Sequence, residues 1–235
     1  MLALNAAGNR VAAMDDAGNI FLFDSLGELK WTWFKSRDAR YFCLSPSGEE
    51  MVVAEASRAV VLDFAGRPVF ETEFNGAAGH LAIDDDSLYI GDSSGIVSAY
   101  DLYGSQLWSG CIEEPVARLR PFEDGLLVTT GMGSAFFLDD AGKVVWRRRV
   151  AGRRSLVIRN QKREFIEVIR RRNALFCLVL GGELLWKVVL KDAVRSFAAD
   201  ASGEFVCAFD GVAVWLFSIA NRAPEEPGRF DFLEL

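Results

Sequence analysis

Histidine occurs once in this chain, at position 80, and that scarcity removes much chemistry at the outset. A zinc site built on two or three imidazoles is excluded. Any histidine-driven proton transfer would have to run through His80 alone. The four cysteines, Cys43, Cys111, Cys177 and Cys207, lack the paired spacing of metal ligands. Three of them lie inside apolar runs, which predicts buried, reduced thiols in a reducing compartment. Proline numbers only 6, so extended strands meet few breaks. Apolar runs stay short, 174–180 being typical of the longest, against the ~20 residues a membrane-spanning helix requires. No Asn-x-Ser/Thr acceptor is present, and the opening MLALNAAGNRVAAMDD has no basic segment leading into an apolar one. No secretory leader is therefore expected, and the chain is expected to be cytoplasmic. No phosphate-binding glycine loop occurs, and no 3.6-residue periodicity runs long enough to predict a helix.

What the chain does contain is a sentence written several times. The stretch 97–108, VSAYDLYGSQLW, reads as a strand ending at Asp101, a tight turn closed by Gly104, and a second strand reaching Trp108. The same order recurs as Asp24, Gly27, Trp31; as Asp63, Gly66, Phe70; and as Asp139, Gly142, Trp146. A fifth copy keeps Gly182 and Trp186 but has Val179 for the aspartate, and a sixth has Ser218 and Asn221 at the equivalent places. Along 24, 63, 101, 139, 179 and 218 the steps are 39, 38, 38, 40 and 39 residues. A period this regular marks one supersecondary unit stacked on its neighbours. Each copy divides at turn residues into four short strand-forming runs; in the first these are 2–5, 10–14, 20–24 and 29–34. Four antiparallel strands, repeated six times, predict an all-β, six-bladed propeller. The expected blades are 1–34, 40–74, 80–110, 117–150, 154–190 and 194–235, forming a single domain over 1–235. Glycine suits the third turn because a short hairpin needs positive φ. The aromatic four residues later is expected to pack one blade against the next.

The copies VSAYDLYGSQLW and FFLDDAGKVVW resemble the repeats of quinoprotein-like (PQQ-type) β-propellers, whose blades carry an Asp–turn–Gly–x-x-x–Trp docking motif. The turn Ser45-Pro-Ser-Gly48 and the pair Gly79-His80 are similar to pieces of WD40 repeats. The resemblance covers about 2–217 and implies the propeller fold. It implies no cofactor, because the metal ligands and vicinal disulfide of the quinone-dependent dehydrogenases have no counterpart here.

Two patterns bear on catalysis. Residues 91–95, GDSSG, match the G-x-S-x-G nucleophile elbow, but that elbow needs a strand running into a helix. Here strand-forming runs lie on both sides, so the stretch reads as a hairpin loop. In a propeller the connections between blades share a face with the loops joining second and third strands. On that face Asp15, Asp16, Glu55, Asp92 and Asp210 supply carboxylates. Converging carboxylates suit a hard divalent ion, whereas single acids in turns cap backbone N–H groups; the second reading is preferred. No metal ligand set or cofactor is assigned.

Charge is the most uneven feature. Residues 147–172 hold 11 of the 26 basic residues and two of the 33 acidic ones, in a chain of net charge −7. Such asymmetry points to an electrostatic partner. Arg153 and Arg154 enter the fifth blade, while Arg170, Arg171 and Arg172 are expected to form its next loop on the same face. These five guanidinium groups are the expected contact for another protein subunit with an acidic surface. Nucleic acid is the less favoured partner, since the overall charge is negative and no aromatic is interleaved to stack a base. The tail 229–235, RFDFLEL, is either the outer strand of the sixth blade or a docking peptide, with Phe230 and Phe232 as its contact residues. The function expected is a non-catalytic scaffold or adaptor subunit of a larger cytoplasmic, bacterial assembly. The alternative is a small-molecule or metal-binding propeller enzyme or sensor, lactonase-like, using the acidic central loops.

Overall fold

A computed structural model describes residues 1–33, 39, 41–55, 57–74, 78–151, 155–160, 162–180, 184–199, 203–219 and 228–231. The fold is a β-propeller of six four-stranded sheets, each with its strands in chain order, and no helix occurs among the described residues. Sheet one comprises β1 (Leu2–Leu4), β2 (Arg10–Met14), β3 (Ile20–Asp24) and β4 (Leu29–Trp33). Sheet two comprises β5 (Tyr41–Leu44), β6 (Glu50–Ala54), β7 (Arg58–Asp63) and β8 (Pro68–Glu73). Sheet three comprises β9 (Ala78–Ile83), β10 (Ser87–Asp92), β11 (Ile96–Asp101) and β12 (Gln106–Cys111). Sheet four comprises β13 (Val116–Phe122), β14 (Gly125–Thr130), β15 (Ser134–Leu138) and β16 (Val144–Arg149). Sheet five comprises β17 (Ser155–Arg159), β18 (Phe165–Arg171), β19 (Ala174–Val179) and β20 (Leu184–Val189). Sheet six comprises β21 (Ser196–Ala199), β22 (Phe205–Phe209), β23 (Ala213–Ser218) and β24 (Gly228–Asp231). The chain divides into two compact units, Met1–Arg147 and Arg148–Leu235.

Within the first unit, the middle strands are buried on both faces, and their sequences show why. In β6 the side chains of Met51 and Val53 enter one core, with Ile20, Leu22 and Trp33 of sheet one. Val52 and Ala54 enter another, with Leu81, Leu88 and Ile90 of sheet three. The two-residue period of a strand thus sends alternate residues into two different cores. Such a strand must be apolar throughout rather than alternating. In the second unit one core joins sheets five and six through Ile158, Val168, Leu175, Trp186, Val206 and Phe217.

The repeated motif acts as expected and adds a feature that spacing alone does not show. Asp24, Asp63, Asp101 and Asp139 each close a turn by accepting, on one carboxylate oxygen, the N–H groups two and four residues later. Their turn glycines Gly27, Gly66, Gly104 and Gly142 all have positive φ. The following aromatic lies on the equivalent glycine of the next sheet: Trp31 on Gly66, Phe70 on Gly104, Trp108 on Gly142. Trp31 also donates its indole N–H to the Phe64 carbonyl at 2.7 Å. Just before each aromatic the pairing skips a residue, as at Leu22/Phe23, Val61/Leu62, Ala99/Tyr100 and Cys177/Leu178. Each skip is a bulge that re-aims the ring. Among the described residues Trp186 has no equivalent acceptor, and its buried Nε1 meets no partner there. The sixth copy, with Ser218 in place of the aspartate, lacks the motif that receives Trp31.

The tail supplies the last strand. β24 runs antiparallel to β23, with Phe230 opposite Val214 and Asp231 opposite Ala213. Removing 229–235 is therefore expected to lower the melting temperature and to promote association, since it leaves the β23 edge open. Thermal melts with light scattering test this. An unchanged melting temperature would place the tail outside the folded sheet.

Candidate functional site

Arg153, Arg154 and Phe232 lie outside the described residues; the backbone of Phe230 belongs to β24. Of the remaining arginines, Arg170 and Arg171 are not in a loop, because β18 continues through Arg171 and the turn is the pair 172–173. Arg170 is committed to the fold. Its Nη1 donates to the carbonyl oxygens of Arg195 and Val194, and its guanidinium lies 5.9 Å from the Phe197 ring centre. Arg171 and Arg172 are exposed.

The segment 190–195, connecting sheets five and six, is clipped onto this turn. Leu190 N–H donates to the Asn173 carbonyl at 2.8 Å, and Asn173 Nδ2 donates back to the Leu190 carbonyl at 2.9 Å. Val194 N–H donates to the Arg172 carbonyl at 2.9 Å. The clip brings exposed Lys191 and Arg195 beside Arg171 and Arg172. Among the described residues none of the four forms an ion pair. The rim is thus Arg171, Arg172, Lys191 and Arg195 rather than the arginine run 170–172. Lys191 and Arg195 were findable, since a blade-joining connection shares the face of the neighbouring second loop.

Arg172 stands in a conformation that glycine prefers. Its φ is +52°, whereas the equivalent turn of sheet six puts Gly211 there, with φ +104°. A side chain in the left-handed region costs about 1–2 kcal/mol. Gly211 meanwhile leaves room for its neighbour: a Cβ there would stand 2.6 Å from Arg195 Nε.

The acidic loops do other work. Asp15 Oδ1 accepts from Ala17 and Asn19 N–H, and the Asn19 side-chain and backbone donors hold its carboxyl below the usual range. Asp92 Oδ1 accepts from Ser94 N–H, Ser94 Oγ–H and Ile96 N–H. Asp210 accepts from Val212, Ala213 and the Trp215 indole. Burial pushes its carboxyl up, but these donors outweigh burial and leave it lowered. Glu55 pairs with Arg58 at 2.6 Å. Among the described residues no group of three His, Cys, Asp or Glu side chains could hold a metal ion. The GDSSG stretch is the hairpin between β10 and β11. A further carboxylate, Glu114, is buried and accepts from Thr130 Oγ1 at 2.6 Å, Ser134 Oγ at 2.8 Å and the Arg147 guanidinium. Burial raises its carboxyl, and the three donors more than reverse this; the cluster ties the 113–115 connection to sheet four. All four cysteines are free thiols, and burial pushes Cys43 and Cys177 up to about 12. Neither of those two is a ready thiolate nucleophile.

On the inner edge of the first unit lies a group that no local motif announces. β1 packs on β5, β5 on β9, and β9 on β13. Tyr41 of β5 and His80 of β9 meet with Oη and Nε2 3.0 Å apart and ring centres 4.7 Å apart. Leu119 N–H of β13 donates to His80 Nδ1 at 3.2 Å. Burial first, then the positive charge of Arg118, lowers the imidazole to about 4.

Docked aromatics, Asp-capped turns and four-stranded sheets define the class: a propeller of tryptophan-docked repeats. The chain belongs to the family whose model is described as outer membrane protein assembly factor BamB, which matches residues 44–177. Among solved structures it is similar to the crystal structure of the C-terminal WD40 domain of Sif2, with a TM-score of 0.71 at 13% identity. That match covers 93% of this chain and 66% of the other, so this chain spans just under two thirds of it. At this identity the likeness shows the fold alone. As many as 1416 solved chains match, so the fold selects no single activity. None of the curated proteins matches the chain.

Proposed function

We propose that this protein is a non-catalytic scaffold or adaptor subunit of a larger cytoplasmic assembly, and that its basic rim holds an acidic segment of another subunit. The observation that carries the reading is the rim itself: Arg171, Arg172, Lys191 and Arg195 exposed around one rigidly clipped turn. Guanidinium forks suit carboxylates. Retaining arginine at a left-handed position, where sheet six has glycine, fits a side chain kept for contact rather than for stability. By their position in the sequence Arg153 and Arg154 are expected on the same face. The family description, an assembly factor, agrees with a role in joining subunits. The words outer membrane in that description pull against a cytoplasmic setting, and the four free thiols favour it; cell fractionation decides between them.

Affinity capture with the wild type and with a variant carrying Arg171→Ser, Arg172→Ser, Lys191→Ser and Arg195→Ser tests the rim. Partner recovery is expected to fall sharply, with stability changed by only about 0.5 kcal/mol, since exposed charges contribute little. Arg172→Gly alone is expected to weaken recovery while raising stability by about 0.5–1 kcal/mol through relief of the left-handed strain. Full recovery of every partner by the four-fold variant would reduce the rim to a solvated edge.

A further inference from the structure

Between sheets two and three the repeat departs from its own pattern. Three residues before each turn position, the third strands carry Phe21, Val60, Ser98, Phe136, Phe176 and Trp215. A residue at this place faces the preceding sheet: Val60 enters the core shared with sheet one, and Phe136 the core shared with sheet three. Of the six, Ser98 is the one small polar residue. Its cross-strand partner is small as well: Ser98 stands opposite Ser109, where sheets one and five pair Phe21 with Thr32 and Phe176 with Lys187. The space that an apolar side chain fills in the other sheets is here a cavity of about 210 Å³. Glu73 and Phe74 bound it from the end of sheet two, and Tyr100, Gln106 and the two serines from sheet three. Asp92 also lines it. Asp92 is only 2% exposed, and just one of its oxygens is occupied: Oδ1 accepts from Ser94 N–H, Ser94 Oγ–H and Ile96 N–H. Among the described residues no donor reaches Oδ2, and none of those lining the cavity is basic. A buried carboxylate with an open oxygen and no counter-charge is costly unless a donor arrives from outside.

We infer that this cavity binds the ammonium group of a short alkylamine, free or at the end of a lysine side chain, with Asp92 Oδ2 as its counter-ion. An ammonium suits the site better than a guanidinium. The guanidinium fork seeks two carboxylate oxygens, and Oδ1 is already taken by the turn, whereas an ammonium is a compact point charge with three donors. The Ser98 and Ser109 hydroxyls bond each other at 3.0 Å, and each keeps lone pairs that can accept a further N–H. Phe74 and Tyr100 offer aromatic walls to the methylenes, and a ring face attracts a cation. The volume is below the ~300–1,000 Å³ typical of drug-sized ligands, which sets the occupant at a few heavy atoms. The site is independent of the basic rim, which holds the opposite charge.

Calorimetric titration of the full chain at pH 7 and constant ionic strength, with n-butylammonium chloride and separately with 1-butanol, tests this. The ammonium is expected to bind saturably at one site, and the neutral alcohol of similar size at least about tenfold more weakly. Asp92→Asn keeps an oxygen for the turn but removes the charge, and should raise the Kd about tenfold or more. Ser98→Phe, which restores the ring found in sheets four and five, should abolish binding without lowering the melting temperature, and it decides the matter if the asparagine variant folds poorly. A capped pentapeptide with one central lysine separates the two sources. Binding at least as tight as that of the free amine assigns a lysine side chain, and no binding assigns a free amine. The site would be overturned if neither the amine nor the peptide bound saturably, if butanol bound as well as the ammonium, or if binding were undiminished in a folded variant of either kind.

Discussion

Alanine at Gly142 is expected to destabilise the protein by about 1–3 kcal/mol more than alanine at Gly27, although the two backbones are alike. Their φ angles are +76° and +77°, so both substitutions share the left-handed penalty of about 1–2 kcal/mol. The packing differs. A Cβ at Gly142 would stand 2.4 Å and 2.5 Å from Trp108 ring atoms, whereas at Gly27 no atom of the described residues lies within 4 Å. Trp108 has little room to retreat, being packed against the core of sheets three and four with Tyr89 tilted against it. Gly66 and Gly104 should be intermediate, since the nearest ring atoms there are 3.0 Å and 3.1 Å away. Thermal or urea unfolding measures the series, at about 2–4 °C per kcal/mol for a chain of this size. A double-mutant cycle with Trp108→Ala isolates the contact: in that background the Gly142 change should cost no more than the Gly27 change. Equal losses at all four glycines would mean that the docking contacts contribute nothing beyond turn geometry.

The same motif shows how far sequence carries the fold. Asp24, Asp63, Asp101 and Asp139 could be placed at turns because their roles are local: each accepts hydrogen bonds from residues two and four positions on. The strands between them follow from apolar runs bounded by glycine and polar turn residues, and β2 and β3 fall on 10–14 and 20–24 as expected. The bulge before each docked aromatic was hidden, because a skipped pairing leaves no mark on the Gly–x-x-x–Trp spacing. The position of Arg170 in β18 rather than in the loop is hidden for a related reason. Its place in a basic run says nothing of the carbonyls of Val194 and Arg195, which lie 24 and 25 residues away and engage it. The inner-edge group did leave a signal. Tyr41, His80 and Leu119 are separated by 39 residues each, the repeat period itself, so three successive blades present the same inner position to one another. Reading the repeats in columns rather than along the chain would have paired them.

The second large effect is on the acid limb of the stability curve. His80 is expected to remove about 3 kcal/mol of stability between pH 6.5 and pH 4. The imidazole is lowered from 6.5 to about 4 by burial and by Arg118. Between those values the unfolded chain binds a proton that the folded chain refuses, so stability rises with pH across the window. The loss begins as pH falls below 6.5, is complete near 4, and does not deepen further from this group. The carboxylates held below their usual range, Asp15, Asp24, Asp63, Asp101, Glu114 and Asp210, add their own loss mainly below about pH 4.5. From pH 6.5 to 5 the slope should therefore belong to His80, which is the only histidine. Protonation there also sets a second cation beside Arg118, and Nδ1–H would face the Leu119 N–H it now accepts from, leaving two donors opposed. Urea unfolding at half-unit pH steps, for the wild type and for His80→Gln, measures the effect. The glutamine variant should be flat across pH 6.5–5 and should meet the wild-type slope only in the carboxylate range. A wild-type curve equally flat across that window would show that the buried imidazole titrates as freely folded as unfolded.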